Sequence, residues 1–273
     1  MEFANLIEIG VVALYLSGAA LYPVAMLKRK PALMRLAGLT AGGGFALHTL
    51  CIGLMFASTK QMTFTQGGLY FSLMAWMLLL VFFVTSWRKK LEFMGLAASP
   101  LALLLYLSSI ALPDSVVKMP ETFSGLFFTL HIGSLFVSLS LLAMAFAAGA
   151  LFLNIEKKIK TKEKIEGFHK DLPSLNTFDL ANKWAVNWGF PLYSLGLLAG
   201  FVWGRFTWGK LLTWDPKEIV SLLIWTLYAY LFHQRLARGW RGGKAAKLAM
   251  LVFVFSIASL VGVNFLTQSH HNF

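Results

Sequence analysis

Residues 203–218 read Trp203-Gly204-Arg205-Phe206-Thr207-Trp208-Gly209-Lys210-Leu211-Leu212-Thr213-Trp214-Asp215-Pro216-Lys217-Glu218, and this stretch decides how the chain folds. It holds three of the nine tryptophans, with three basic and two acidic side chains among them. Apolar runs flank it on both sides. A charged, aromatic stretch between two such runs belongs at a membrane–water boundary, where an indole keeps one edge apolar and its N–H partnered. An aromatic belt at a helix end accounts for any single tryptophan. Three at this density, closed by Trp-Asp-Pro-Lys-Glu, favour a surface platform for a flat apolar ligand. Pro216 predicts a helix start with Asp215 as its N-cap. Glu218 then falls in the first turn, at the positive end of the helix dipole.

Outward from this stretch the chain is a membrane protein. Of its 273 residues 58% are hydrophobic and 13% charged, which is too apolar for a soluble domain. Eight runs approach the roughly 20 residues that a span needs. They are Ile7–Leu27, Leu36–Ala57, Gly68–Trp87, Phe93–Leu112, Ser124–Leu153, Trp188–Val202, Ile219–Phe232 and Leu248–Leu266. The sixth and seventh, either side of the tryptophan stretch, are the shortest. Unpaired amides are not tolerated in lipid, so the expected fold is all-α, one membrane domain over residues 1–273 with eight transmembrane helices. The first apolar run lacks the basic leader and cleavage site of a signal peptide.

Basic residues set the expected orientation. Nineteen of the 24 Lys and Arg fall between spans one and two, three and four, five and six, and seven and eight. Five lie on the opposite side: Lys60, Lys118, Arg205, Lys210 and Lys217. The positive-inside rule puts the nineteen in the cytoplasm, and both termini and the 203–218 loop outside. Location in a bacterial plasma membrane, within the lipid bilayer, follows as the expectation. Topology thereby explains the net charge of +12. The charges are divided among short loops, so nucleic acid is not an expected partner.

Thr40-Ala-Gly-Gly-Gly44 in span two predicts close helix packing, because small residues let backbones approach in membranes. The cytoplasmic connection 154–183 begins Asn-Ile-Glu-Lys-Lys-Ile-Lys, a sequence that extends the fifth helix, and Asp171-Leu-Pro-Ser-Leu-Asn breaks it. The remainder reads as a solvated linker. Residues 58–67 and 113–122 read as outer loops. Cys51 is the only cysteine, so there is neither an internal disulfide nor a thiol pair for redox exchange.

The chemistry lies with the histidines. A histidine inside a span is a functional candidate by default, although a neighbouring helix often satisfies it. His48 lies near the middle of span two and His131 about two turns into span five. His233 ends span seven, and His270 and His271 follow span eight on the tryptophan side. His169 reads as solvated. Two outer imidazoles beside an aromatic platform suit haem, which is flat, apolar and takes axial imidazoles. Its propionates have Arg205, Lys210 and Lys217 as candidate partners. His131, His271, Asp215 and Glu218 also offer ligand types for zinc, which has no use for a tryptophan platform.

The run Thr213-Trp-Asp-Pro-Lys-Glu through His233-Gln-Arg235 resembles the tryptophan-rich haem-handling proteins of cytochrome c assembly. The resemblance is strongest to the CcsA (ResC) branch, related to CcmC and CcmF. Leu-His-Thr-Leu at 47–50, Leu-His-Ile-Gly at 130–133, Pro-Ser-Leu-Asn-Thr-Phe-Asp at 173–179, Gly-Trp-Arg-Gly at 239–242 and Gly-Val-Asn-Phe-Leu at 262–266 follow the family pattern in order.

The resemblance implies that His131 and His271 ligate haem b at the external face, and that His48 and His233 hold haem within the membrane. It assigns Trp208, Trp214 and Asp215, with Trp203 beside them, to the external haem cradle. The implied function is haem transport and delivery to apocytochrome c bearing Cys-x-x-Cys-His, as a subunit of a haem lyase. The implied partners are a CcsB (ResB)-like membrane subunit and a separate thiol reductant protein. A HemX-like regulator of haem synthesis is the alternative. The family signature Trp-Gly-x-x-Trp-x-Trp-Asp places a tryptophan where this chain has Leu212, which is therefore expected to be the weakest part of the platform. One haem held by both His48 and His233 requires equal depths. Yet His48 lies roughly 13 residues from Arg35, about 20 Å of helix, and His233 lies beside Arg235.

Overall fold

The computed structural model describes residues 2–28, 30–58, 63–66, 68–89, 91–111, 115–118, 123–164 and 172–266. His169, His270 and His271 fall outside them. Helices occupy all eight predicted positions: α1 Glu2–Lys28, α2 Pro31–Ser58, α3 Gly68–Lys89, α4 Gly95–Ala111, α5 Phe123–Lys160, α6 Leu175–Trp208, α7 Pro216–Leu236 and α8 Gly243–Leu266. Seven are long and apolar enough to cross a membrane, and α7 is the remaining one. The two stretches expected as outer loops contribute a small antiparallel ladder. In it β1 (Thr63–Gln66) pairs with β2 (Ser115–Lys118), Thr63 opposite Lys118 and Gln66 opposite Ser115. A 3-10 turn, Glu92–Met94, leads into α4.

The sixth helix is far longer than the apolar run that announces it. It has 34 residues, about 51 Å at 1.5 Å per residue. Hydropathy marks only the part suited to lipid, about 30 Å thick. Residues 175–187 continue the helix with polar side chains among apolar ones. Ser174 caps its start, accepting from the Thr177 amide. The 38-residue α5 likewise runs on through the basic tract to Lys160. Only residues 161–174 separate the two helices, so helix occupies both ends of the 154–183 connection.

The chain divides into two compact units, one of residues 1–118 and 164–172, the other of residues 119–163 and 173–273. In the first, α1 packs along α2 and against α4, and α3 packs on α4. Small residues permit the approach. A Cβ on Gly44 would lie 2.6 Å from the Tyr15 ring, and one on Gly95 2.3 Å from the Tyr22 ring. In the second unit α5 packs along α6 and α8, with α7 against α6 and α8. Ser138 donates to the Gly189 carbonyl at 2.8 Å, and the Tyr228 hydroxyl sits where a Cβ on Gly189 would be.

The second unit also buries an ion pair. Arg235, its side chain fully buried, donates to Asp179 at 2.9 Å, and also to Asn182 Oδ1 and the Trp240 carbonyl. Asp179 also accepts from the Gly242 amide at 2.8 Å, and Asn182 donates to Ala145 O at 2.8 Å. One guanidinium thus ties the start of α6 to the end of α7 and to the turn before α8. Asn182 continues the tie to α5.

Candidate functional site

His131 stands two turns into α5, where α6 presents glycine. Its Nδ1 lies 2.7 Å from the carbonyl oxygen of Gly196. A carbonyl only accepts, so Nδ1 carries the proton and, in the neutral ring, Nε2 carries the lone pair. Gly200, one turn further along α6, leaves room for the ring; a Cβ there would stand 2.5 Å from Nδ1. Backbone and glycine therefore fix both the tautomer and the orientation of this imidazole. Metal-ligating histidines commonly hold their other ring N–H against a carbonyl in this way.

The same α5–α6 seam carries two of the predicted tryptophans. Trp203, one turn beyond Gly200, is 9% exposed and meets Phe128 edge-on at 5.4 Å. Trp208 folds back over Gly204 and meets Trp203 edge-on at 5.0 Å. Phe127 stacks on Phe206 at 6.0 Å. Gly209, in the left-handed region at φ 73°, ends α6 and turns the chain.

The loop 210–215 is held by one carboxylate. Glu218 accepts from the Thr213 amide (2.7 Å), the Thr213 hydroxyl (3.0 Å) and the Trp214 amide (2.8 Å). The sequence reading placed Glu218 only in the dipole field of the first turn. In the structure it reaches back across the N-cap to the two residues before it, a variant of the capping box. Trp214 is thereby kept at φ 59°, where a bulky residue is a rarity, with its side chain 69% exposed. Asp215 caps α7 as expected, accepting from the Lys217 amide at 2.9 Å, and is buried. Both carboxylates of the zinc alternative thus serve the backbone. Lys217 is half-buried; burial pushes its ammonium below the usual lysine range, and Asp215 pulls the other way. Arg205 and Lys210 are exposed, and Leu212 is half-buried.

The structure therefore gathers His131, Trp203 and Trp208 on one seam, with Trp214 and Asp215 in the loop that follows. His233 belongs to the same unit, but lies about 26 Å along α7 from Pro216, exposed in the last turn. His48 belongs to the first unit. It is 1% exposed, with Nδ1 2.9 Å from the Tyr15 hydroxyl and Nε2 2.8 Å from the Ser72 hydroxyl. The Tyr106 ring meets it edge-on at 4.6 Å. Tyr15, Ser72, Gly196 and Gly200 escape a sequence reading, since nothing in their local sequence marks them. Asp179 and Arg235 lie within stretches that carry the family resemblance, but their pairing shows only in the fold.

A family model described as cytochrome C assembly protein matches residues 66–271. The chain belongs to that family. Its similarity runs to CcsA proteins. It is 29% identical to "Cytochrome c biogenesis protein CcsA" of Guillardia theta over 77% of this chain and 76% of that one. It is 30% identical to the protein of that name from Chlamydomonas reinhardtii, over 78% of this chain and 62% of that one. A third, from Gloeobacter violaceus, is 41% identical over 36% of this chain and 29% of its own length. Among solved structures "Cytochrome c Heme Lyase CcmF" has the same fold, with a TM-score of 0.64 at 18% identity. That match covers 98% of this chain and 47% of the other, so the chain corresponds to about half of that protein. A multi-pass membrane protein of the CcsA type is the result.

Proposed function

We propose that this protein carries haem to the outer face of a membrane and holds it there for attachment to apocytochrome c. The observation that carries this reading is His131, whose Nδ1 proton is held by the Gly196 carbonyl beside Trp203 and Trp208. This chain's residues fit a haem ligand there: the tautomer is set, the ring cannot turn, and indoles lie on the same seam. His271 is the proposed second axial ligand, and Trp214 and Asp215, with Trp208, form the cradle. The cargo, proposed as haem b, brings the vinyl groups that the thiols of a Cys-x-x-Cys-His segment attack; the protein holds and orients it. The outer placement rests on the partition of nineteen basic residues against five; in a bacterial plasma membrane this is the periplasmic side. His48 and His233 are, in this reading, ligands for haem in transit.

With Cys51 alone, the chain does not reduce substrate thiols itself, so a separate reductant protein and a CcsB-like subunit complete the reaction. Purified protein is expected to show a bis-imidazole haem spectrum that the His131→Ala/His271→Ala pair abolishes. An unchanged spectrum overturns the assignment. In a deletion strain, loss of covalent c-type haem with normal b-type haem supports assembly. Normal c-type haem with altered haem precursors supports a HemX-like regulator instead. A C-terminal tag open to protease in spheroplasts supports the orientation, and a protected tag reverses it.

A further inference from the structure

The turn between α7 and α8 is braced more firmly than a solvated connection needs. The Trp240 amide donates to the Gln234 carbonyl at 2.9 Å, and the buried Arg235 guanidinium donates to the Trp240 carbonyl at 3.3 Å. The Gly242 amide donates to Asp179 at 2.8 Å. Gly239 and Gly242 take φ values of 62° and 66°, where glycine carries no steric penalty. Trp240 is half-buried, with its ring edge-on to Tyr230 at 6.1 Å. An indole and a phenol at the end of a span mark the level of the lipid headgroups.

This braced turn presents cations that lack counter-charges. Arg238, Arg241, Lys244 and Lys247 are all exposed, and residues 219–273 contain no acidic side chain. Among the described residues, the carboxylates at this end of the unit are Glu156, Glu163 and Asp179. Each already has a basic partner: Lys160 at 3.0 Å, Lys158 at 3.8 Å and Arg235 at 2.9 Å, respectively.

The exposed face of α8 says what kind of anion fits. Its exposed residues, among those described, are Lys244, Lys247, Leu251, Val254 and Ala258. At about 3.6 residues per turn these form one stripe, about 15 Å long from Lys244 to Val254. Ala245, Ala249, Val252 and Phe253 are buried on the other side. The stripe opens with two ammonium groups and turns aliphatic within the next turn. A soluble acidic partner has no use for the aliphatic part, whereas a phospholipid needs both parts.

We propose that the 238–247 turn and the exposed stripe of α8 bind an anionic phospholipid, its phosphate held by Arg238, Arg241, Lys244 and Lys247 and an acyl chain lying along Leu251 and Val254. Clustered basic side chains beside a span attract anionic headgroups. Here Arg235, Asp179 and the two glycines fix the backbone that presents them, so the cluster is a site and more than a topological signal.

The test uses full-length protein, stripped of lipid in detergent and titrated with phosphatidylglycerol or phosphatidylcholine, with bound lipid counted by native mass spectrometry. Phosphatidylglycerol is expected to bind in preference. Arg238→Gln/Arg241→Gln and Lys244→Gln/Lys247→Gln are each expected to weaken it about 5- to 30-fold. Lys28→Gln/Lys30→Gln, which removes two exposed charges from the connection between α1 and α2, is expected to leave it unchanged. All variants are compared at matched unfolding temperature, and Arg238→Lys/Arg241→Lys is expected to retain most of the binding. Equal binding of the two lipids overturns the proposal. An equal loss in the Lys28/Lys30 pair also overturns it, because the attraction is then diffuse. Hexaglutamate or inorganic phosphate at millimolar concentration is expected not to displace the lipid. Displacement by either would assign the surface to a soluble anion and overturn the lipid site.

Discussion

His48 and His131 belong to the same haem-handling chain, but their units hold them by opposite means. In the first unit the imidazole lies between two hydroxyls, each able to donate or accept. In the second it leans on a backbone carbonyl, which can only accept, with a glycine behind it. The second unit has other fixed polar contacts: Arg235 and Asp179 form a buried ion pair, and Glu218 secures two backbone amides. The hydroxyl partners of His48 leave its tautomer open, and the carbonyl partner of His131 sets it.

The largest expected effect tests the fixed side. Asp179→Ala leaves the Arg235 guanidinium buried without its counter-charge, a change that costs about 3–5 kcal/mol. Thermal unfolding in detergent is expected to show it, and a loss below about 1 kcal/mol would remove the ion pair from the comparison. Next, Gly200→Val drives a side chain into the His131 ring. Overpacking of this kind costs about 1–3 kcal/mol. Haem content is expected to fall at least about tenfold, as for other losses of ligand orientation. Unchanged haem would mean that glycine does not hold the ring.

Glu218→Gln keeps one acceptor and replaces the other with a donor, so about 1 kcal/mol of loop order is expected to go. Faster proteolysis within 210–215 and weaker quenching of tryptophan emission by haem would show it. The smallest effect belongs to Leu212. Leu212→Trp restores ring area and an N–H, and is expected to maintain or raise haem per polypeptide by no more than about 1 kcal/mol of binding. Trp214→Ala is expected to lower it. A drop with Leu212→Trp, at matched folded yield, means that the platform has been reshaped around leucine.

Much of the helical frame is legible because lipid demands it: each apolar run of span length becomes a helix, and Asp215-Pro216 marks where α7 starts. The extent of α6 is not, because Leu175–Asn187 lies beyond the apolar run and hydropathy is silent there. Of the candidate site, His131 and the tryptophans are chemically conspicuous. What fixes them is not: the Gly196 partner is a carbonyl that every residue possesses, and Gly200 acts by lacking a side chain. Tyr15 and Ser72 stand 33 and 24 residues from His48, on different helices, so no local pattern joins them. Asp179 and Arg235, 56 residues apart, meet only through the packing of α6 against α7.

Trp214 at φ 59° has a consequence for anyone who engineers this protein. An L-residue in that region is disfavoured by roughly 1–2 kcal/mol, and glycine there is not. A screen that selects for heat resistance is therefore expected to accept Trp214→Gly, and a screen that selects for cytochrome maturation to reject it. Libraries built on this scaffold should hold residue 214 constant before ranking variants by melting temperature.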